Sequence, residues 1–397
     1  MASQPPTSAY IIAARRTALG RIGGLHRTRR IGDLAGPVVR AVCEDGGIKP
    51  DEIDDIIVGN ATAGGNPARI IALASGLSET VNATTVDQQD ASGLVAIIQA
   101  VRAVAHGDSQ VAIAGGAESL STAPWRIARP RNIHQMPHFI SPEPFGDDDI
   151  RCAVPIEGTE QLAQSLNISR SRQDAFATRS IDRALAARKS RKFIDEIVPL
   201  RGRPEEARDQ TTIECDFEAL QSELPFREDD GTLKPANTSS WHDGAAFVLV
   251  VSEQRWKALG QPPAMRLVAN AASGVPAGHE AKAPIAAVEK LYTRLNGFDR
   301  STIGIIETSE SSAAQAIALA DSLGLEETQI NPDGGAIARG HPFGAAGALV
   351  VVRLFSQLVR TTDAASPQFG VATQGAVGGL GVAALFSRGS AADAATA

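Results

Sequence analysis

The stretch DQQDASGLVAIIQAVRAV, residues 87–104, decides the fold class of this chain. Its apolar residues recur with the spacing of one helix face, and Asp90 stands just before them, at the mouth of the predicted helix. Near the other end of the chain, GAAGALVVVRLFSQLV, residues 344–359, follows the same pattern. In both places a glycine-rich turn opens an apolar helix and a glycine-punctuated strand follows. The repeat indicates a duplicated α/β unit.

Short apolar runs bounded by glycine alternate with helical patterns along most of the chain, which predicts a layered α/β fold. The predicted strands are Ala9–Ala13, Asp55–Val58, Gln110–Ala114, Phe247–Val251, Ile303–Ile306, Phe369–Ala372 and Val382–Phe386. The predicted helices cover about residues 32–46, 66–76, 91–106, 169–191, 312–324 and 344–360.

The alternation of strand and helix patterns is interrupted in residues 119–240, where proline, arginine and acidic residues become common. Apolar residues such as Phe176, Ile181 and Phe193 are too numerous for a disordered linker, so the region is interpreted as an inserted loop domain. We expect residues 1–118 with 241–264 to form an N-terminal half, and residues 265–389 a C-terminal half. Residues 390–397 are expected to be a flexible tail.

The composition is that of a globular protein, with 43% hydrophobic and 21% charged residues among 397. A net charge of −7 argues against a general nucleic-acid binder. The three cysteines are widely spaced, which indicates neither a disulfide framework nor a metal site and fits a reducing cytoplasm. The sequence shows no secretory leader pattern and no membrane-spanning run. We expect a cytoplasmic protein without membrane contact and without a permanently bound cofactor.

The same segments resemble, in order and over roughly residues 8–388, the motifs of the thiolase family. IIAARRTALGRIGG resembles the family's opening strand and turn, NPARIIALASGL its Asn-Pro-Ala-Arg helix, and GGAESLSTAP its Gly-Gly-x-Glu segment. SRQDAFATRSIDRA with DEIVPL resembles the loop domain, NTSSWHDGAAFVLV the stretch after it, and GGAIARGHPFGAAG the catalytic-histidine loop. The resemblance implies a five-layered αβαβα fold, an acyltransferase acting on a coenzyme A (CoA) thioester, and a homodimer or homotetramer.

The motifs that carry thiolase chemistry match less well. Asp90 stands where the family has its acylated cysteine, Gly375 where it has a second cysteine, and Ser309 where it has an asparagine. His341, in Gly-His-Pro, is retained. Attack of an aspartate on a thioester would give a mixed anhydride, which is higher in energy than either thioester. We therefore do not expect ordinary thiolysis.

Three roles for Asp90 remain open. Aspartate is a favoured helix N-cap, in which case its carboxylate would accept a hydrogen bond from the N–H of Ser92 or Gly93. With His341 it would form a base and acid pair that activates water or abstracts a proton beside a thioester carbonyl. As a nucleophile it would form the anhydride. The first two roles are compatible.

The other candidate site residues follow from the resemblance. His341 would donate toward the thioester oxygen, although a histidine in a glycine-rich turn can instead cap a helix or bond a carbonyl. The backbone N–H groups of Asp90 and of the turn near Val377 would form a second oxyanion hole. Ser309 could hold a water as the family's asparagine does, and Glu310 is interpreted as a buried acid that supports the loop.

The resemblance also suggests where CoA would bind. Ser239 is a candidate contact to the pantetheine arm. Arg208 and the basic segment with Arg126, Arg129 and Arg131 are candidates for the phosphates, because guanidinium groups match phosphate geometry. A solvated charged face would explain these arginines equally well.

Two functions follow from these observations. The first is an enzyme that acts on acyl-CoA or 3-oxoacyl-CoA thioesters by hydrolysis or retro-Claisen cleavage, through Asp90 and His341. The second is a catalytically silent thiolase homologue that binds CoA esters or partners an active thiolase.

Overall fold

Strands and helices alternate through the computed structural model, which describes residues 7–130, 132–139, 155–200, 207–210, 222, 224–227, 230–276, 278–361 and 367–389. Arg131, Cys152, Cys215 and the predicted tail, residues 390–397, lie outside the described residues. The predicted α/β fold class is confirmed by the mixed sheet and its helices.

The strands are β1 (Ala9–Arg16), β2 (Gly20–Arg21), β3 (Asp55–Gly59), β4 (Asn82–Val86), β5 (Val111–Glu118), β6 (His242–Ser252), β7 (Ala264–Gly274), β8 (Ile303–Thr308), β9 (Phe369–Ala376) and β10 (Leu380–Gly389). The helices are α1 (Ile31–Gly46), α2 (Pro67–Ala74), α3 (Ser92–His106), α4 (Pro155–Ser165), α5 (Arg170–Lys189), α6 (Glu253–Ala258), α7 (Ala283–Arg294), α8 (Ala313–Leu323), α9 (Ala336–Arg339) and α10 (Phe343–Phe355). The last of these continues as a π-helical segment, Ser356–Arg360.

Every predicted strand and helix is present, with ends shifted by a few residues. Seven elements were not predicted from the sequence, namely β2, β4, β7, α4, α6, α7 and α9. β4 is a polar, half-exposed strand at the edge of the sheet. β7 carries asparagine, serine and glycine, which have low β-propensity, so its long pairing with β10 could not be inferred from local sequence. α4 contains Gly158, and α7 has Pro284 in its first turn, after a stretch that resembles a loop.

The sheet repeats one strand order in its two halves. In the first half the strand order is β1, β6, β5, β3, with β4 added outside β3. In the second half the order is β7, β10, β9, β8. In each half the first two pairings are antiparallel and the third is parallel. β1 pairs with β7 and joins the halves. The α/β unit is therefore duplicated.

The helices form three layers around the two halves of the sheet. α3 and α10 lie between the halves, where Leu94 and Ile97 share a buried cluster with Leu349, Val352 and strand residues from both halves. α1 and α2 cover the outer face of the first half. α7 and α8 cover the outer face of the second half, where α4 and α5 also pack. The layers follow the order helix, sheet, helix, sheet, helix.

The two central helices contact each other through glycine. A Cβ atom on Gly93 of α3 would lie 2.8 Å from the backbone N of Ala348 and 2.8 Å from the carbonyl oxygen of Gly344, both in α10. A Cβ atom on Gly347 would lie 2.6 Å from the backbone N of Leu94. Only glycine permits this approach. As a result, the loops that enter α3 and α10 meet.

The apolar helix α10 with its π-helical continuation is long enough to cross a membrane by length and composition. However, 83% of the segment Phe343–Arg360 is buried inside the fold. That burial is typical of the central helix of a layered protein.

A buried ionic cluster joins the inserted region to the core. The guanidinium group of Arg16 in β1 pairs with Glu196 at 3.0 Å and with Asp209 at 2.6 Å. Arg353 of α10 pairs with the same Glu196 and with Asp333. Removing one partner of such a pair leaves an uncompensated buried charge, which typically costs about 3–5 kcal/mol.

Glu307, at the end of β8, is completely buried beside this cluster. Its Oε1 accepts a hydrogen bond from Nε2 of Gln357 at 2.7 Å. Burial raises the pKa of Glu307 to about 8, although the nearby Arg339 opposes the shift. The side chain therefore retains its proton near neutral pH.

We expect Gly93→Ala to destabilise the protein by roughly 1–3 kcal/mol, because its methyl group must push α10 away from α3. Helix propensity alone would favour alanine by about 1 kcal/mol, so the sign of the effect is diagnostic. Urea unfolding measures the change. The matched control is Gly274→Ala, whose Cβ would meet only the carbonyl oxygen of Gly379, at 4.0 Å. Equal stability of the two variants would contradict the close helix contact.

We expect Glu307→Gln to remove part of the pH dependence of stability. The folded pKa of about 8 lies above the ordinary glutamate pKa of 4.5. The stability from retaining this proton is therefore full below about pH 4.5 and is lost as the pH rises to about 8. Urea unfolding should show that the free energy of unfolding of the variant rises relative to that of the native protein as the pH increases from about 4.5 to about 8. Glu289→Gln, on the exposed face of α7, is the control. Parallel pH profiles for native protein and Glu307→Gln would refute the assignment.

Candidate active site

Asp90 lies on a tight turn between β4 and α3. Ser92 builds the turn, since its Oγ accepts a hydrogen bond from the N–H of Gln88 at 2.8 Å and donates one to the carbonyl of Gln89 at 2.6 Å. Gln89 has φ +52°, which is uncommon for a residue with a side chain. This turn leads the carboxyl group of Asp90 toward the second half of the molecule.

The N-cap role considered for Asp90 is wrong. α3 starts at Ser92, its N-cap residue is Ala91, and no side chain caps it. The N–H of Ser92 donates to the carbonyl of Gln89, not to Asp90. Both carboxylate oxygens of Asp90 instead contact residues of the C-terminal half. Asp90 is not the cap because the hydrogen bonds of this turn are made by the Oγ and N–H of Ser92 with the backbone of Gln88 and Gln89.

His341 is held by its main chain between α9 and α10. Its N–H donates to the carbonyl of Ser240 at 2.9 Å, and its own carbonyl accepts from the N–H of His242 at 3.1 Å. Gly340, the preceding residue, has φ +102°, and a Cβ atom there would lie 2.2 Å from the ring of His242. A glycine is therefore required directly before His341.

Asp90 and His341 form a buried pair. The Nε2 of His341 lies 2.7 Å from the Oδ1 of Asp90, and the two side chains are only 6% and 9% exposed. The Nδ1 of His341 has no hydrogen-bond partner among the described residues. This pattern favours the neutral tautomer with its proton on Nε2, because an imidazolium would bury an unsatisfied Nδ1–H donor. The carboxylate accepts that proton in a charge-assisted hydrogen bond.

The second oxygen of Asp90 faces the turn between β9 and β10. The N–H of Val377 donates to Oδ2 over 3.4 Å, which is long for such a bond. Val377 was expected to offer its N–H to a thioester oxygen. In the structure this N–H donates to Asp90, and so does the Nε2–H of His341.

Ser309 and Glu310 follow β8 and have different surroundings. Ser309 is buried and its Oγ has no hydrogen-bond partner in the described part of the chain. Glu310 accepts from the Oγ of Ser180 at 2.6 Å, from Asn331 at 3.1 Å and from the N–H of Ile337 at 3.2 Å. Burial raises the pKa of Glu310, and these donors oppose the shift. Glu310 therefore ties the loop domain to α9, the helix that precedes His341.

Glu118 fixes the start of α10 on the other side of His341. Its Oε2 accepts from the N–H of Ala61 at 2.9 Å and from the N–H of Gly344 at 3.1 Å, and its Oε1 accepts from Asn60 at 2.9 Å. Burial raises the pKa of Glu118, and these hydrogen bonds act against the shift. The histidine loop is thus anchored by an acid at each end.

The candidate CoA contacts do not all lie together. Ser239 is close to the pair, because its N–H donates to the carbonyl of Ser311 at 2.9 Å and the next residue, Ser240, bonds His341. Arg126 is exposed and its Nη2 donates to the carbonyl of Ala61 at 3.3 Å. Arg129 is also exposed. Arg208 lines a cavity with the end of α5 and is not among the contacts of Asp90 or His341.

Two aromatic residues near His341, Phe343 and Trp241, were not predicted from the sequence. The ring of Phe343 meets that of His341 edge to face, with centroids 5.7 Å apart. Trp241 lies 5.3 Å from Phe343 and is 59% exposed, which is unusual for so large an apolar side chain. Trp241 follows Ser239 and Ser240 directly, so the NTSSWHDG motif was the available signal. The rings of Phe343 and Trp241 form an apolar surface beside the buried pair, and Trp241 is exposed to solvent.

The arrangement combines a buried carboxylate with an imidazole N–H donor. Such a carboxylate can take a proton from water, and such an N–H can stabilise a developing oxyanion. Gly375 contributes no side chain, and a Cβ there would lie 3.0 Å from the ring of Pro284. In the described part of the chain, the site therefore has one acid–base pair, Asp90 and His341.

Comparison with known proteins gives agreement along nearly the whole chain. The family model described as "Thiolase, N-terminal domain" matches residues 9–254, and that described as "Thiolase, C-terminal domain" matches residues 261–388.

Curated relatives and a solved structure agree with these matches. The acetyl-CoA acetyltransferase of Pseudomonas aeruginosa is 34% identical over 399 residues, which cover 95% of this chain and 98% of the relative. The enzyme of that name from Thiocystis violacea is also 34% identical, over 394 residues, with the same coverage. The crystal structure of the Bacillus anthracis acetyl-CoA acetyltransferase superposes with a TM-score of 0.85 and 30% identity, covering 97% of this chain and 100% of that one. The chain belongs to the thiolase family.

Proposed function

We propose that this chain hydrolyses acyl-CoA or 3-oxoacyl-CoA thioesters with Asp90 as general base and His341 as oxyanion donor. No cysteine acyl-enzyme is formed. The observation that carries the proposal is the buried contact of 2.7 Å between the Oδ1 of Asp90 and the Nε2 of His341. A CoA thioester as substrate is supported by the acetyl-CoA acetyltransferases to which the chain is similar.

The weakly held oxygen of Asp90 is the base in this scheme. Among the described residues, its Oδ2 has only the 3.4 Å contact with the N–H of Val377, so it is the oxygen left to accept a proton from water. The water oxygen forms a bond to the thioester carbonyl carbon, and the carbonyl oxygen becomes an oxyanion. The proton on Oδ2 passes to the CoA sulfur when the C–S bond breaks. The products are a free acid and CoA.

Protonation of Asp90 also releases the oxyanion donor. A neutral carboxyl group accepts hydrogen bonds less strongly than a carboxylate, so the Nε2–H of His341 becomes available when Asp90 takes the proton. The donor thus turns to the substrate oxygen as negative charge develops there. This timing favours the transition state over the ground state, as catalysis requires.

Retro-Claisen cleavage is the second reaction the pair could perform, on 3-oxoacyl-CoA. Water would attack the carbonyl at C3, the C2–C3 bond would break, and its electron pair would take a proton at C2. The family resemblance assigns proton exchange at C2 to a second cysteine, and Gly375 stands there. Because Gly375 can supply no proton, we favour hydrolysis of the thioester bond.

A catalytically silent CoA-ester binder, or a partner of an active thiolase, is the alternative. One observation favours it: Asp90 already accepts from both the Nε2–H of His341 and the N–H of Val377. A carboxylate that keeps both donors would leave none for a thioester oxygen. We further propose a cytoplasmic protein and a homodimer or homotetramer, which the family relationship supports.

We expect release of free CoA from acetyl-CoA, butyryl-CoA or acetoacetyl-CoA, measured with a thiol-reactive dye. Asp90→Asn, and the double variant with Asp90→Ala and His341→Ala, should lower kcat at least about 100-fold, because general-base catalysis typically contributes 10²–10⁴-fold. Mass spectrometry of the acetoacetyl-CoA reaction separates acetoacetate, the hydrolysis product, from acetate, the retro-Claisen product.

The matched control for that assay is Asp87→Asn, on the same turn but exposed. It should retain native activity. Two results together would establish the catalytically silent alternative. The native protein would release CoA no faster than the double variant, and calorimetry would show that it binds CoA esters. Absence of both release and binding would end both proposals.

We also expect Asp90→Cys to create a reactive thiol, since without the carboxylate the imidazole of His341 can carry its proton on Nδ1 and take the thiol proton at Nε2. The peptide that contains position 90 should react with iodoacetamide at least about tenfold faster than the peptide that contains Cys43, measured by mass spectrometry. Cys43 is the internal reference, because burial raises the pKa of its thiol to about 11. Adding His341→Ala should slow the reaction at position 90. Equal rates with and without His341 would contradict the proposed pairing.

A further inference from the structure

A cavity of about 250 Å³ lies at the end of α5, outside the set of residues that contact Asp90 and His341. Its floor includes the buried residues Ala184, Phe193 and Ile197, and its mouth includes the exposed residues Arg191 and Arg208. A buried cavity needs only roughly 10–15 Å³ of such volume to hold one water. This cavity is therefore large enough for a small organic molecule.

Arg339 lines the cavity and is 94% buried, at 6% exposure. Its Nε donates to the carbonyl of Gly334 at 2.9 Å. Its Nη1 is buried and has no hydrogen-bond partner, and Arg339 forms no ion pair with any residue the structure describes. A guanidinium buried without a counter-ion is costly, because desolvation is not repaid by a paired charge.

Three acids lie near Arg339, namely Glu307, Asp209 and Glu310, but none of them forms an ion pair or hydrogen bond with it among the described residues. Asp209, which also lines the cavity, already pairs with Arg16, and Glu310 is occupied by the donors of Ser180 and Asn331. Glu307 retains its proton near neutral pH because burial raises its pKa to about 8. The ring of Phe193 has the guanidinium groups of three arginines around it. Those groups lie at 4.8 to 5.5 Å and belong to Arg16, Arg339 and Arg353.

We propose that this cavity binds a small organic anion, whose carboxylate or phosphate group pairs with Arg339 and whose short apolar part lies against Phe193 and Ile197. The planar guanidinium fork suits both oxyanions, and the exposed arginines at the mouth attract negative charge. The apolar floor selects a short hydrocarbon part over inorganic phosphate alone. The lining shares no residue with the contacts of Asp90 and His341, so this proposal does not depend on the proposed hydrolysis, and we expect CoA to bind elsewhere.

Calorimetric titration of the full-length protein tests the site with three probes: butyrate, butyramide and inorganic phosphate. We expect butyrate to bind and butyramide, its uncharged counterpart of nearly the same shape, to bind at least about tenfold more weakly, because it cannot pair with Arg339. Inorganic phosphate should bind more weakly than butyrate, because it has no apolar part to lie against Phe193 and Ile197, and tighter binding of phosphate would contradict the role of the apolar floor. Saturating CoA should leave butyrate binding unchanged.

Two variants localise the binding. Arg339→Gln should weaken butyrate binding at least about tenfold, whereas Arg172→Gln, on a surface arginine paired with Asp321 and Glu327, should leave it unchanged. If Arg339→Gln fails to fold, Ala207→Phe decides, since Ala207 is an exposed residue of the lining and a ring there obstructs the cavity. Equal binding of butyrate and butyramide, displacement of butyrate by CoA, or unchanged binding in Ala207→Phe would overturn the proposal.

Discussion

The hydrogen bond between the carboxylate of Asp90 and the Nε2 of His341 is the interaction on which the site depends. It connects a turn of the N-terminal half with a loop of the C-terminal half, and neither half alone contains both groups. The two helices behind these loops, α3 and α10, can approach only because Gly93 and Gly347 lack side chains. The duplicated fold therefore brings one functional group from each copy to a common buried point.

A carboxylate at this point changes what the scaffold can do. A thiol would exchange one thioester for another at nearly constant energy, whereas a carboxylate is better used to remove a proton from water. The same carboxylate accepts hydrogen bonds from the Nε2–H of His341 and from the N–H of Val377. In the proposed hydrolysis, catalysis depends on the protonation of Asp90, because that step would free a donor when the oxyanion forms.

Sequence reasoning identified the fold well where the apolar period is strong. α3 and α10 are long amphipathic or apolar segments opened by glycine, and both were predicted to within a few residues. β7 was missed because its pairing with β10 depends on a distant strand and not on its own composition. For the site, the resemblance placed Asp90, His341 and Val377 near one another. It could not predict that Asp90 would contact the other half instead of capping α3, because that outcome depends on the hydrogen bonds of Ser92. The buried Arg339, two residues before His341, was also invisible to motif comparison.

The central claim is that water, activated by Asp90, attacks the thioester directly. The most direct test is hydrolysis of acetyl-CoA in ¹⁸O-water under single-turnover conditions, with mass spectrometry of the acetate and of the peptide that contains Asp90. The account predicts one ¹⁸O atom in the acetate and none in the carboxyl group of Asp90. An ¹⁸O atom in Asp90 would show that its carboxylate had attacked the acyl group, and that result would contradict the account.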